Sequence, residues 1–276
     1  MKSFSRLKFT FVRARHLFLL SSVFCHSGGS VSDVANGGWA TDSLDIVGDD
    51  GPCNIVRHDA RSLTQNEFLK RFSAEPLIIT NLENDEGFQQ LCSRDQLLLQ
   101  FSEAKVRLSS ANTYSYAKVP VKLRDYVSEY LRPQKVDQLG NETFYLFGDT
   151  DADDWKPLLD KYKRPRWSLP GHEGMPTIGI AGAGTGVPFH FHGPGFAEVI
   201  YGRKRWFLYP PEQRPTFDPD NSTLHWYTYV YPGLRREEKP LECLLKPNEL
   251  IYFPNLWWHS TLNVETSVFI STFLAP

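Results

Sequence analysis

Three histidines are the residues of this chain best placed to hold a metal. His190 and His192 stand one residue apart in Val187-Pro-Phe-His-Phe-His-Gly-Pro194, and His259 closes Phe253-Pro-Asn-Leu-Trp-Trp-His259. On an extended segment, side chains at i and i+2 face the same side. His190 and His192 can therefore converge, and a third imidazole brought in by folding would complete one face of a coordination site. Three protein donors with open positions left over is the arrangement that a catalytic metal needs. His-x-His also occurs in cores and on surfaces that hold nothing, so the pair acquires meaning only from its surroundings. Those are a β-rich half of the chain, Lys204 at the end of the next strand, and His259 behind two tryptophans.

The elements that must position these residues change character along the chain. Thr64-Gln-Asn-Glu67 is a capping-box pattern and predicts a helix to about Phe72. Pro76–Thr80 reads as a buried strand, and residues 84–101 carry helical periodicity through Phe88, Leu91, Leu98 and Phe101. Lys105–Ser109 and Thr143–Phe147 read as strands, with a helix at Leu123–Leu131 between them. From about Thr177 onward come short β-type runs broken by Gly and Pro, and little looks helical. Such a series predicts a sandwich or barrel. Gly182-Ala-Gly-Thr-Gly186 is not a dinucleotide fingerprint, because no helix can open where Pro188 follows; it reads as a turn leading into a strand.

A formal net charge of −2, with no basic stripe, offers no footprint for nucleic acid. The first residues read as a secretory signal. Lys2, Arg6, Lys8, Arg13 and Arg15 form a basic region, Leu17–Phe24 a short apolar one, and Ser27-Gly-Gly-Ser30 supplies small residues. That apolar run is far below the roughly 20 residues of a membrane span. The rivals are an uncleaved anchor and a mitochondrial presequence. Asn141-Glu-Thr and Asn221-Ser-Thr are glycosylation sequons that agree with export. The expected organisation is a signal peptide at 1–27, a flexible Gly/Ser/Asp-rich stretch at 28–52, an α/β part at 53–150 and a β core at 151–276. Cys25 leaves with the signal or lies at its cleavage site. Of Cys53, Cys92 and Cys243, an oxidising compartment favours one bridge, and Cys53–Cys92 is the expected pair because both lie in the N-terminal half.

The sequence resembles the JmjC (jumonji C) domains. The matching segments are Gly202-Arg-Lys-Arg-Trp-Phe-Leu-Tyr-Pro210, Ile251-Tyr-Phe-Pro-Asn-Leu-Trp-Trp-His259 and the early Glu75-Pro-Leu-Ile-Ile-Thr-Asn-Leu82. The resemblance implies a mainly β fold with flanking helices, a double-stranded β-helix of cupin or jelly-roll type. It further implies Fe(II) and 2-oxoglutarate as cofactors, with His190 and His259 as iron ligands and Lys204 as partner of the far carboxylate of the oxoacid. Among JmjC proteins it is similar to those of the endoplasmic reticulum lumen, with secretion as the alternative location. Three positions depart from the pattern. His192 replaces the acidic ligand, Gly195 stands where several members carry Asn, and Val187 where Thr or Ser is common. Three neutral imidazoles leave a divalent ion more positive than two imidazoles and a carboxylate would. The first reading is therefore a non-catalytic or atypical member that acts as a protein-binding, regulatory module and self-associates as a homo-oligomer. The alternatives are a hydroxylase of luminal polypeptides and a three-histidine metal cupin with other chemistry. Trp206, Tyr209, Trp257 and Trp258 are expected in the barrel wall.

Overall fold

A computed structural model describes residues 36–40, 50–113, 118–150 and 152–276. The signal-type segment, Cys25 and most of the stretch 28–52 lie outside the described residues.

The N-terminal elements follow their local signals. Helix α1 (Gln65–Arg71) starts at Thr64, whose hydroxyl accepts from the Glu67 amide. Strand β1 (Val56–Asp59) pairs in parallel with β2 (Leu77–Thr80), whose Leu77, Ile78 and Ile79 are fully buried. The helical stretch 84–101 is two helices, α2 (Glu86–Leu91) and α3 (Arg94–Phe101). Cys92 and Ser93 break it, with Ser93 extended as the cap of α3. Strands β3 (Lys105–Ser110), β4 (Val119–Lys122) and β5 (Phe144–Thr150) follow, with a helical turn at Leu123–Asp125 continuing through Tyr126–Tyr130.

The C-terminal half is β-rich as expected, with two helical pieces that its short runs did not announce. One is α4 (Ala152–Leu159); the other is Thr223–His225 continuing through Trp226–Val230. The strands are β6 (Glu173–Ala181), β7 (Gly195–Tyr201), β8 (Lys204–Tyr209), β9 (Leu241–Leu245), β10 (Leu250–Phe253), β11 (Trp258–Asn263) and β12 (Ser267–Ala275). Together with β1–β5 they form a nine-stranded sheet in the order β1-β2-β10-β7-β12-β6-β5-β3-β4, and a three-stranded sheet in the order β11-β8-β9.

The period of two decides what fills the space between the sheets. Trp206 and Leu208 of β8 and Cys243 and Leu245 of β9 pack on Ile78, Ala197, Val199, Ile251 and Phe253 of the large sheet. The alternate residues Phe207, Tyr209 and Leu244 face outward, where Leu224 and Trp226 cover them.

The disulfide differs from the expected pair. Cys53 is bonded to Cys243, and Cys92 is a buried free thiol. Cys92 ends α2 in a core with Trp39, Leu97 and Trp155, and its carbonyl accepts from the Trp39 indole. Cys53 lies elsewhere, where Asn54 runs along β9: its amide donates to the Glu242 carbonyl and its side-chain oxygen accepts from the Glu242 amide. Closeness in sequence was no guide here, because residues 53–55 pair with a strand near the opposite end of the chain.

Gly186 fixes the approach of the histidine segment to β11. A Cβ at this position would lie 1.7 Å from the carbonyl oxygen of Thr261. We expect Gly186→Ala to cost about 1–3 kcal/mol of unfolding free energy. Gly233→Ala, with open space around the added methyl, should stay within about 0.5 kcal/mol of wild type. Urea unfolding curves of the two variants check this.

Candidate metal centre

The histidine segment is bound along the free edge of β11. The amides of Gly184, His190 and Leu256 donate to the carbonyls of Asn263, His259 and His192, and those of Asn263, Thr261 and His259 donate to Thr185, Val187 and His190. The reciprocal pair between His190 and His259 brings their rings to 4.2 Å between centroids. His192, two residues on, faces the same side as the sequence predicts, 5.3 Å from His190 and 4.7 Å from His259. One nitrogen of each ring lies within 4.8 Å of one nitrogen of each of the others. No other group of three or more His, Cys, Asp or Glu with this closeness occurs among the described residues.

The backbone sets the tautomer of all three rings. Nδ1 of His190, His192 and His259 stands 2.8, 2.8 and 2.9 Å from the carbonyl oxygens of Pro188, Gly193 and Trp257. A carbonyl only accepts, so each Nδ1 carries the proton and each Nε2 presents a lone pair. The Nε2 atoms of His192 and His259 are 3.2 Å apart. Two lone pairs facing each other at that distance repel unless a cation lies between them. Two nitrogens sharing a metal at about 2.1 Å stand about 3.0 Å apart at an octahedral angle and about 3.4 Å apart at a tetrahedral one. A shared proton is disfavoured: burial holds His192 below and His259 well below the usual histidine range, and for His259 the neighbouring imidazoles add to it. Three Nε2 lone pairs, two of them at the spacing of nitrogens that share an ion, form the type of donor set that would hold a divalent metal.

Around the imidazoles the wall is aromatic. Phe253 and Trp206 stack on His259, and Phe253 and Phe273 meet His192 edge-on. Trp206, Tyr209 and Trp257 are buried in the wall as expected, and Trp258 is half-buried. The cavity beside the histidines has about 20 Å³, and Phe147, Val187, Phe269, Ser271 and Phe273 line it. That is room for a water or two, whereas pockets for small organic ligands run to about 300–1,000 Å³. Gly195 belongs to this filling, since a Cβ there would lie 2.6 Å from the Phe253 ring. As the side chains stand, the space beside the histidines is of water size.

Lys204 lines the same cavity, on the interior face of β8 with Trp206. It is 3% exposed, so it does not face water. Its Nζ donates to Asn263 Oδ1 at 3.1 Å and lies 3.8 Å from the centre of the Phe269 ring. Asn263 escaped the sequence reading, although it sits four residues beyond His259 on the same face of one strand. No carboxylate pairs with Lys204 among the described residues, and burial lowers its pKa to about 7.

The other predicted positions lie apart from this centre. Asn141 is exposed on a turn at Gly140–Glu142. Asn221 is half-buried, and Thr223 of its sequon is buried against Ser260. A larger cavity of about 210 Å³ lies on the side of β7 where Glu198 emerges, lined by Tyr162, Arg164 and Arg166. It contains none of the histidines, so its size does not make it the site of metal chemistry.

Known proteins bear on this geometry. A model of the cupin-like domain matches residues 70–273. The human "JmjC domain-containing protein 8" is 46% identical over 94% of this chain and 96% of its own length. The rat protein of the same name is 48% identical over 86% of this chain and 89% of its own. The chain belongs to the JmjC-type cupin-like family. A more distant JmjC relative, the chicken "2-oxoglutarate and iron-dependent oxygenase JMJD4", is 23% identical over 64% of this chain and 47% of its own length. Within the JmjC fold, the three histidines and Lys204 are brought to one cavity, as the motifs implied.

A buried lysine without an anion carries a pH signature. Its folded pKa is below its unfolded value of 10.5. Between about pH 7 and 10.5 the unfolded state holds more protons, so stability rises with pH across that window. Below pH 7 the ammonium is buried and its full cost is present. We expect Lys204→Met to stabilise the ligand-free protein at pH 6, by on the order of 3 kcal/mol, with the gain shrinking toward pH 10. Urea midpoints at the two pH values check this; an equal or negative gain at pH 6 would mean that an anion already neutralises the lysine.

Proposed function

We propose that this chain is an atypical JmjC protein that holds a divalent metal on His190, His192 and His259 and works by binding rather than by 2-oxoglutarate turnover. It acts as a protein-binding, regulatory module of the secretory pathway. The observation that carries this reading is the pairing of two features. An imidazole, His192, stands where the family pattern has a carboxylate, and phenyl rings fill the space beside it down to about 20 Å³. The Cys53–Cys243 disulfide supports an oxidising compartment. The exposed Asn141 in its sequon agrees with it.

One observation favours a second reading, a luminal Fe(II)/2-oxoglutarate hydroxylase. Lys204 is a buried cation with no anion, at the cavity that holds the histidines, and a dicarboxylate would supply that anion. In that case Phe269 or Phe273 must swing away to admit it. A three-histidine metal cupin with other chemistry remains a third reading, because the same donor set serves it.

Thermal melts of the glycosylated protein without oxygen separate the first two. We expect Zn(II), Fe(II) or Mn(II) to stabilise wild type by about 2.7 kcal/mol at a hundred times its dissociation constant. His190→Ala should abolish that gain, and 2-oxoglutarate should add nothing. A further gain that needs the oxoacid and is lost in Lys204→Ala would overturn the non-catalytic reading in favour of the hydroxylase. No stabilisation by any of the ions would remove the metal from all three readings.

A further inference from the structure

The disulfide is placed for exchange rather than for permanence. Cys53 is exposed at the rim of the small sheet, whereas Cys243 is 1% exposed. Nη1 of Arg57 lies 3.5 Å from each sulfur. Its other terminal nitrogen is held by Glu249, which keeps the guanidinium over the bond. A buried disulfide sulfur that leaves as a thiolate has a charge to shed in an apolar setting, which ordinarily disfavours cleavage. A cation in contact with it lowers the pKa of the departing thiol, and a thiol of lower pKa leaves faster.

We propose that Cys53–Cys243 is a thiol-exchange site for a low-molecular-weight thiol, in which Cys53 is the sulfur attacked and Arg57 receives the charge of Cys243. The thiolate forms a bond to Cys53 Sγ while the Cys53–Cys243 bond breaks, and its electron pair departs on Cys243. A second thiolate then attacks the sulfur of the bound thiol. It releases the small-molecule disulfide and leaves Cys53 as a thiolate, so two thiols are oxidised and one protein disulfide is reduced. Cys53 is thereby the position that carries a mixed disulfide with a molecule such as glutathione.

The consequence reaches inward. Residues 50–55 form a strap over β9. The Asp50 carbonyl accepts from Nη2 of the buried Arg205, Asn54 pairs with Glu242, and Ile55 packs with Cys243 and Trp206. Trp206 stacks on His259. Opening the bond leaves this strap held by its hydrogen bonds, the Asp50–Lys246 ion pair and the packing of Ile55, one side chain away from the histidines.

The test is exchange of the folded protein with millimolar glutathione, quenched with acid and mapped by mass spectrometry. The expected product carries glutathione on Cys53. Cys92, whose burial pushes its thiol far above the usual range, serves as the internal blank and stays unmodified. Arg57→Gln is expected to slow the exchange about three- to tenfold, and Glu249→Gln, which releases the guanidinium from its place over the sulfurs, to slow it by less. In urea, where Arg57 is no longer held beside the sulfurs, all three proteins should react alike. Glutathione found on Cys243, or a wild-type rate no faster than global unfolding, would overturn the proposal. So would an Arg57→Gln rate equal to wild type in the folded state. The wild-type mapping decides between the two sulfurs even if a variant fails to fold.

Discussion

The small sheet has only three strands and two free edges, and the barrel depends on closing both. An open edge leaves a row of unsatisfied amides and carbonyls beside an apolar interior. At β11 the closure is made by residues 184–192, which an internal proline keeps from being a regular strand yet which exchange hydrogen bonds with β11 along its length. At β9 the closure is made by residues 53–55, sealed by the disulfide to Cys243. The first of these closures carries His190 and His192. The hydrogen bonds that hold the barrel shut are thus the ones that aim the ligands, and geometry at the centre is inherited from the fold.

The interior so formed is unusual in its charge. Its wall offers three imidazoles and an ammonium, and no carboxylate lines the cavity. A family pattern with one acidic ligand would offset part of the charge of a divalent ion; here nothing in the wall does. The lysine is tolerated in the ligand-free state through one amide oxygen and one ring face. A bound metal would leave the cavity short of negative charge, which an anion from outside the wall would have to supply.

Much of this was legible before any coordinates. The His-x-His period, the lysine and the late histidine converge because strand periodicity is a local rule that tertiary packing respected. The Thr64 cap is local in the same way. The helix expected at 84–101 failed at Ser93, since apolar spacing continues across a break that only the N-cap preference of serine hints at. The cysteine pairing failed because it reports which distant segments lie side by side, and sequence distance carries no such information. The packed phenyl rings were not foreseen for a related reason. Phe147, Phe269 and Phe273 come from two strands far apart in the chain, and a Phe reads the same whether it lines a pocket or fills it.

The order of strands has a meaning in time as well as in space. Strand β2 is made early, yet in the large sheet it lies between β1 and β10, and β12 lies between β7 and β6. A ribosome delivers the chain from its N-terminus. Leu77, Ile78 and Ile79 have β1 beside them early but wait for their second partner until Leu250–Phe253 has been made, and β6 and β7 stay unjoined to each other until Ser267–Ala275 arrives. Contacts this distant in sequence form slowly. The large sheet is thus joined into one only when the last strands of the chain have been made.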